Sequence, residues 1–149
     1  MTRQKPFSYE EFKAIYSQVP RLVVEVVVQT ENGIVLTLRK DASWNNLWHL
    51  PGGTVFYKEY IEDAIQRIAR EELSIEVTKQ KFIDYLEYPS EEKERGFGWS
   101  VGLVFLCTPN SPLPESNQEG EKIQVFDSIP DNIVEEHKRL LTGIFSQKQ

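Results

Sequence analysis

The chain has little of what builds cross-links. It holds one cysteine and two histidines in 149 residues. Cys107 lies in the apolar run Val101–Cys107 and reads as a small buried hydrophobe. A disulfide framework and a cysteine-rich metal site are both excluded. There is no long basic run, and the formal charge is −6. That balance argues against a nucleic-acid polymer as partner. An anionic small molecule stays within reach if a metal ion or a few placed arginines supply positive charge. Long hydrophobic runs are missing too. The stretch Leu22–Val28 is short and interrupted by Glu25, so it cannot span a bilayer, and no membrane partner is expected. The opening MTRQKPFSYEEF has no apolar core of the kind a secretory leader needs, so a cytoplasmic location is expected. No repeat, linker or low-complexity segment interrupts the chain. Its length suits one domain over residues 1–149, and 40% apolar content is enough for a sizeable core.

Periodicity supplies the elements. Ser8 and Glu11 have capping-box spacing, and Phe12, Ile15, Tyr16 and Val19 come next at helical intervals until Pro20. Leu22–Gln29 reads as a buried strand, Glu31–Gly33 as a tight turn and Ile34–Leu38 as the hairpin partner. Asp41–Leu47 reads as loop, and Pro51, Gly52 and Gly53 strongly punctuate the chain. Tyr60–Leu73 is the clearest helix, with acids at its positive end. Ile75–Tyr88 predicts a long strand or two short ones, Pro89–Gly98 a polar loop, and Trp99–Cys107 a strand. A proline-rich loop over Thr108–Gly120, a strand at Ile123–Phe126 and a final helix capped by Asp131 or Asn132 complete the chain. Strands interleaved with a few helices predict an α/β fold, a mixed sheet with helices on both faces.

The chemistry concentrates in Gly53–Ile75, GTVFYKEYIEDAIQRIAREELSI. At about 100° per residue, Ile61, Ile65, Ile68 and Glu72 share one helical stripe. Glu72 therefore sits where core is expected, and a lone carboxylate there is costly unless paired or bound to a metal. Arg67 and Glu71 flank the stripe four residues apart and can pair. A glycine turn lies just upstream. A carboxylate beside such a turn suits Mg²⁺, which takes a few carboxylates, carbonyls and substrate phosphates.

This segment resembles the Nudix box. Gly53, Glu59, Arg67, Glu71, Glu72 and Ile75 fall in the register of that motif, and Trp48–Gly53 is similar to the family's usual approach to it. The resemblance implies a Nudix α/β/α sandwich with a mixed sheet, and hydrolysis of a nucleoside diphosphate linked to another group. Two positions depart. The acid that normally comes after the motif arginine is Ile68, and the late glycine is Ser74. Ser74 must take up a left-handed turn at some cost. Ile68 removes a group that in the family commonly binds metal or activates water.

The same loss occurs in the GDP-mannose mannosyl hydrolases, a subgroup this chain resembles over roughly residues 7–77. That resemblance implies one divalent cation, Mg²⁺ or Mn²⁺, and attack by water at the sugar carbon. It assigns the cation to Glu72 and the Gly53 region, and the resemblance to the wider family adds Glu71 and the loop acid Glu119 as candidate ligands. The subgroup resemblance assigns leaving-group stabilisation to Arg39, and Arg67 joins the catalytic candidates through the box. Glu25 stands where the subgroup has an aspartate on the first strand, so Glu25, Arg39 and Trp99 are the substrate-binding candidates. The subgroup's arginine after the glycine pair is Thr54 here, and its loop histidine is absent. Glu119 or Glu121 is the replacement base. His49 reads as structural and His137 as solvated. Trp44, Phe56, Tyr57 and Trp99 are candidates for stacking on a base or sugar. The expected partner is a nucleoside diphosphate derivative, with a homodimer as the expected assembly. Three readings stand side by side: nucleotide-sugar hydrolysis at carbon, conventional pyrophosphate hydrolysis at phosphorus, and a binding domain without turnover.

Overall fold

The computed structural model describes residues 6–147. Helix α1 spans Tyr9–Tyr16 and opens with the expected capping box. The Glu11 N–H donates to Ser8 Oγ at 3.2 Å, and the Ser8 N–H donates back to Glu11 Oε1 at 3.0 Å.

Seven strands make the sheet: β1 Arg21–Thr30, β2 Gly33–Leu38, β3 Trp48–His49, β4 Gly52–Thr54, β5 Val77–Glu87, β6 Ser100–Pro109 and β7 Ile123–Phe126. The order is β3-β2-β1-β6-β5, with β4 also pairing β1 and β7 pairing β2. Among these strands only the central β1–β6 pair is parallel. The predicted mixed sheet is present. Central β1 is buried on both faces from Val23 to Val28, which explains its nearly continuous valine content.

Side chains alternate along β1 and feed two cores. Val24, Val26 and Val28 pack with Ala64, Ile65, Ile68, Ala69 and Leu73 of helix α2, Ile61–Leu73. Val27 joins Ile34, Leu36, Val104 and Leu141, the last from helix α4, Glu135–Ser146. Glu25 shares the parity of Val27 and so faces the α4 side. Cys107 lies within the α2 core, where burial pushes its thiol up to about 11. It is an inert hydrophobe, as expected.

Three local expectations are corrected. The segment Pro89–Gly98 is not all loop, because a short helix α3 forms at Ser90–Arg95. The cap of α4 is Val134 rather than Asp131 or Asn132. Asn132 is used instead in tying two loops together: its carbonyl accepts from the Trp48 N–H at 2.8 Å and its amide donates to Asn46 O at 3.0 Å. His137 is not solvated but buried, at 4% exposure, because the first turn of α4 faces the sheet. Among the described residues no helix is long and apolar enough to cross a membrane.

A glycine slot admits Glu25 into this interior. Its strand neighbour is Gly52 on β4, where an added Cβ would lie 2.0 Å from Glu25 Oε2. On β6, a Cβ at Gly102 would meet Glu25 Cγ at 3.3 Å and the Tyr88 ring at 3.2 Å. Gly52→Ala should therefore cost about 1–3 kcal/mol by overpacking. In denaturant unfolding, Gly52→Ala in a Glu25→Ala background should cost much less. Equal costs in both backgrounds would show that the slot does not exist for Glu25.

Candidate active site

The site begins with the loop that leads into α2. The Arg67 side chain is 7% exposed, and its guanidinium donates to Glu59 Oε2 at 2.8 Å, Glu59 Oε1 at 3.0 Å, Thr54 O at 2.7 Å and Glu71 Oε2 at 3.2 Å. It also lies 4.0 Å from the centre of the Phe56 ring. Glu59 Oε1 in turn accepts the Phe56 N–H at 3.0 Å. Each nitrogen of Arg67 is thus engaged in holding the loop and Glu71 on the helix. Arg67, one of the catalytic candidates, is placed where it ties the loop to the helix. Ile68 is 1% exposed, and its side chain lies 3.6 Å from the Cβ position of Gly53, so it seals α2 onto the glycine turn. Ser74 ends α2 at φ 56°, the left-handed turn the missing glycine required.

Glu72 stands on the last turn of α2 beside the loop 117–121. Asn117 docks that loop. Its amide donates to Glu72 O and Glu121 Oε1, both at 3.1 Å, and its Oδ1 accepts the N–H groups of Glu119 at 3.0 Å and Glu121 at 2.9 Å. The two candidate loop acids are separated by this arrangement. Glu121 is buried, while Glu119 is exposed. Burial, then the Glu121 carboxylate, push Glu72 up to about 8, with Glu71 and Glu25 adding to the rise and Arg39 opposing it. Several acids therefore crowd one place with too little positive charge. A divalent cation fits that imbalance. Among the described residues no three His, Cys, Asp or Glu side chains already form a cage, so a cation here would also draw on a backbone carbonyl and on substrate oxygens.

On the α4 side of the sheet a cavity of about 110 Å³ adjoins Gly52 and Gly53. Glu25 and Arg39, two of the substrate-binding candidates, line it. Arg39 donates to Asp41 Oδ2 at 2.8 Å and Ser43 O at 3.1 Å, and lies 5.3 Å from the Trp44 ring centre. Trp44 holds φ 54° and is buried, with Arg95 5.6 Å from the same ring. Its indole N–H donates to Ser90 Oγ at 3.2 Å, so it is a wall between two arginines rather than an open stacking surface. Trp99 is 43% exposed and does not line the cavity, and Tyr57 is 82% exposed.

His49 is structural. Its Nδ1–H donates to Leu50 O at 2.8 Å and Nε2 accepts from Thr37 Oγ1 at 2.9 Å. Burial first, then Arg39 and His137, lower its pKa to about 3, so it stays neutral in ordinary buffers. Sequence reasoning missed Arg21, Tyr88, Glu91, Arg95 and His137, all of which line the cavity. Glu91 is 1% exposed, with Arg21 at 3.0 Å, Arg95 at 3.4 Å and the Ser100 hydroxyl donating to it. Arg21 and Glu91 are seventy residues apart, beyond the reach of any local pattern.

The Glu72 environment predicts a linkage. With a folded value near 8 against an ordinary 4.5, the cation-free fold keeps a proton that the unfolded chain releases. Stability of the cation-free protein should therefore fall as pH rises from about 4.5 to about 8. Glu72→Gln should flatten that slope. Mg²⁺ affinity of the wild type should rise by up to about tenfold per pH unit below the folded value and then level off. Denaturant unfolding in EDTA and calorimetry with Mg²⁺ across this range check both. Identical slopes in wild type and Glu72→Gln would sink the assignment.

Comparison with known proteins bears on these features. Residues 19–142 match the NUDIX domain. The chain is 37% identical over 121 residues to the low-salt glycan biosynthesis protein Agl8 of Haloferax volcanii, covering 79% of this chain and 78% of that one. It is 22% identical over 108 residues to an ADP-ribose pyrophosphatase of Methanocaldococcus jannaschii, covering 72% of this chain and 62% of that one. The fold matches a MutT NUDIX hydrolase from Burkholderia pseudomallei with a TM-score of 0.73 at 23% identity, over 83% of this chain and 97% of that one. With the box in register on α2 and the fold in agreement, this chain belongs to the Nudix family.

Proposed function

We propose that the protein is a Mg²⁺- or Mn²⁺-dependent hydrolase of a nucleoside diphosphate sugar of the GDP-mannose kind, releasing nucleoside diphosphate and free sugar. The observation that carries this reading is the charge-deficient meeting of Glu72 and Glu121 beside the glycine turn, with buried Ile68 where the family usually has a further acid. The 37% identical relative named for glycan biosynthesis supports a sugar-bearing substrate.

Glu72, Glu71 and the Gly53 carbonyl would hold the cation. When bound, the cation neutralises charge on the leaving diphosphate. Arg39 adds charge-assisted hydrogen bonds to the same diphosphate from the cavity wall. Glu121, kept in place by Asn117, takes a proton from the attacking water. Glu25 binds substrate within the cavity. A second reading, pyrophosphate hydrolysis with attack at phosphorus, draws on Glu71 and on the ADP-ribose pyrophosphatase relative.

A screen of nucleoside diphosphate derivatives with Mg²⁺ in ¹⁸O-labelled water separates the readings. The expected products are nucleoside diphosphate and labelled sugar. Label only in a phosphate product moves the protein to the pyrophosphohydrolases, and binding without turnover makes it a binding domain. Glu121→Gln should lower kcat by about 10²–10⁴-fold with little change in substrate affinity, whereas Glu119→Gln should stay near wild type. The reverse ranking would move the base to the exposed end of the loop.

A further inference from the structure

Glu25, Tyr88 and His137 come from three separate elements and are 5%, 6% and 4% exposed. The Leu50 N–H donates to His137 Nδ1 at 3.1 Å. That bond leaves the ring neutral with its hydrogen on Nε2, which meets Tyr88 Oη at 2.8 Å. The Tyr88 hydroxyl then donates to Glu25 Oε1 at 2.8 Å. Each hydrogen in the chain is offered towards the carboxylate. None of the groups behind Glu25 is set to receive a proton from it, so the arrangement suits a fixed acceptor rather than a relay. Burial, and then the Glu25 charge, push the Tyr88 phenol well above its ordinary value, so it remains a donor.

The other carboxylate oxygen, Oε2, has no hydrogen-bond partner among the described residues, and neither does Arg21 Nε. Both residues line the same cavity. The Glu25 oxygen lacks a donor and the Arg21 nitrogen lacks an acceptor, and the hydroxyls of a sugar can serve as either. Leaving either unsatisfied is costly, so a ligand hydroxyl there gains more than an exposed one.

We propose that Tyr88 and His137 are positioning residues that hold Glu25 as acceptor for a sugar hydroxyl, making the cavity between Glu25 and Arg21 the glycosyl subsite. This rests on the nucleotide-sugar reading above and adds the residues that select the sugar. It implies discrimination between a sugar and its deoxy analogue, since a site built to bind a hydroxyl rejects the compound that lacks it.

The test compares the best nucleoside diphosphate hexose with its monodeoxy analogues, using the full chain and Mg²⁺. Wild type should prefer the parent over one analogue by about 10–100-fold in kcat/KM. Tyr88→Phe and His137→Phe should erase most of that preference through KM on the parent, leaving the deoxy analogue unaffected. His137→Gln, whose amide can donate to Tyr88 as Nε2–H does, should restore part of it. An undiminished preference in Tyr88→Phe and His137→Phe overturns the proposal, as does an equal loss on parent and analogue, which marks a merely structural role. If Tyr88→Phe fails to fold, the contrast between His137→Gln and His137→Phe decides. No turnover by wild type counts against the hydrolase reading alone. The same preference is then read from dissociation constants by calorimetry, and no binding of any of these compounds overturns the subsite.

Discussion

Arg67 is the tie on which the arrangement rests. One guanidinium reaches the loop carbonyl of Thr54, the loop acid Glu59 and the helix acid Glu71. Without it the segment from the glycine turn to α2 would have acids facing one another with no shared cation. Breaking a buried pair of this kind typically costs about 3–5 kcal/mol, because a charge is left behind in a poor solvent. The return is geometric. Arg67 sets the distance between the glycine turn and the last turn of α2, and so sets where Glu72 stands relative to Gly53. Asn117 does the corresponding job from the other side, linking Glu72 O to Glu121.

The apolar packing and the polar network therefore have separate tasks. Stability comes from β1 with its valines, clamped by α2 on one face and α4 on the other. Glu25 is inserted into that strand at a position with the parity of a core residue. Such a position would be intolerable for an unsupported carboxylate. Glycines on both neighbouring strands give it room, and Tyr88 gives it a hydrogen bond. The same molecule keeps a second buried acid, Glu91, between Arg21 and Arg95. Two buried acids with opposite solutions, one with both oxygens matched by arginines and a hydroxyl and one with an oxygen unmatched, flank a single cavity.

The features legible in the sequence arise from short-range physics. The capping box of α1, the valine strand, the glycine turn and the amphipathic helix with Glu72 on its apolar stripe all depend on residues close in the chain. The left-handed Ser74 was readable from where a glycine was missing. The long-range polar partners were not. Tyr88 is a strand-end tyrosine in the sequence, and His137 is a helix histidine among charged neighbours. Only the packing of α4 against the sheet brings them to Glu25. The short helix α3 was hidden for a similar reason. Its charged stretch, Ser90–Arg95, reads as solvated loop until Glu91 finds Arg21 and Ser100. The burial of Glu121 and the exposure of Glu119 also depend on the docking of Asn117, which no spacing reveals.

Ile68 governs the balance of charge at the glycine turn. An acid at this position would face that turn, next to a Glu72 already raised to about 8 by burial and by its acidic neighbours. Adding another carboxylate there would raise the group further and demand more positive charge to hold the cluster together. Isoleucine does the opposite. It fills the space with hydrocarbon, fastens α2 to Gly53 and leaves fewer acids to be neutralised. The substitution that departs most from the family motif thus acts in one direction in packing and in electrostatics: it fastens α2 to the glycine turn and lowers the demand for positive charge beside Glu72.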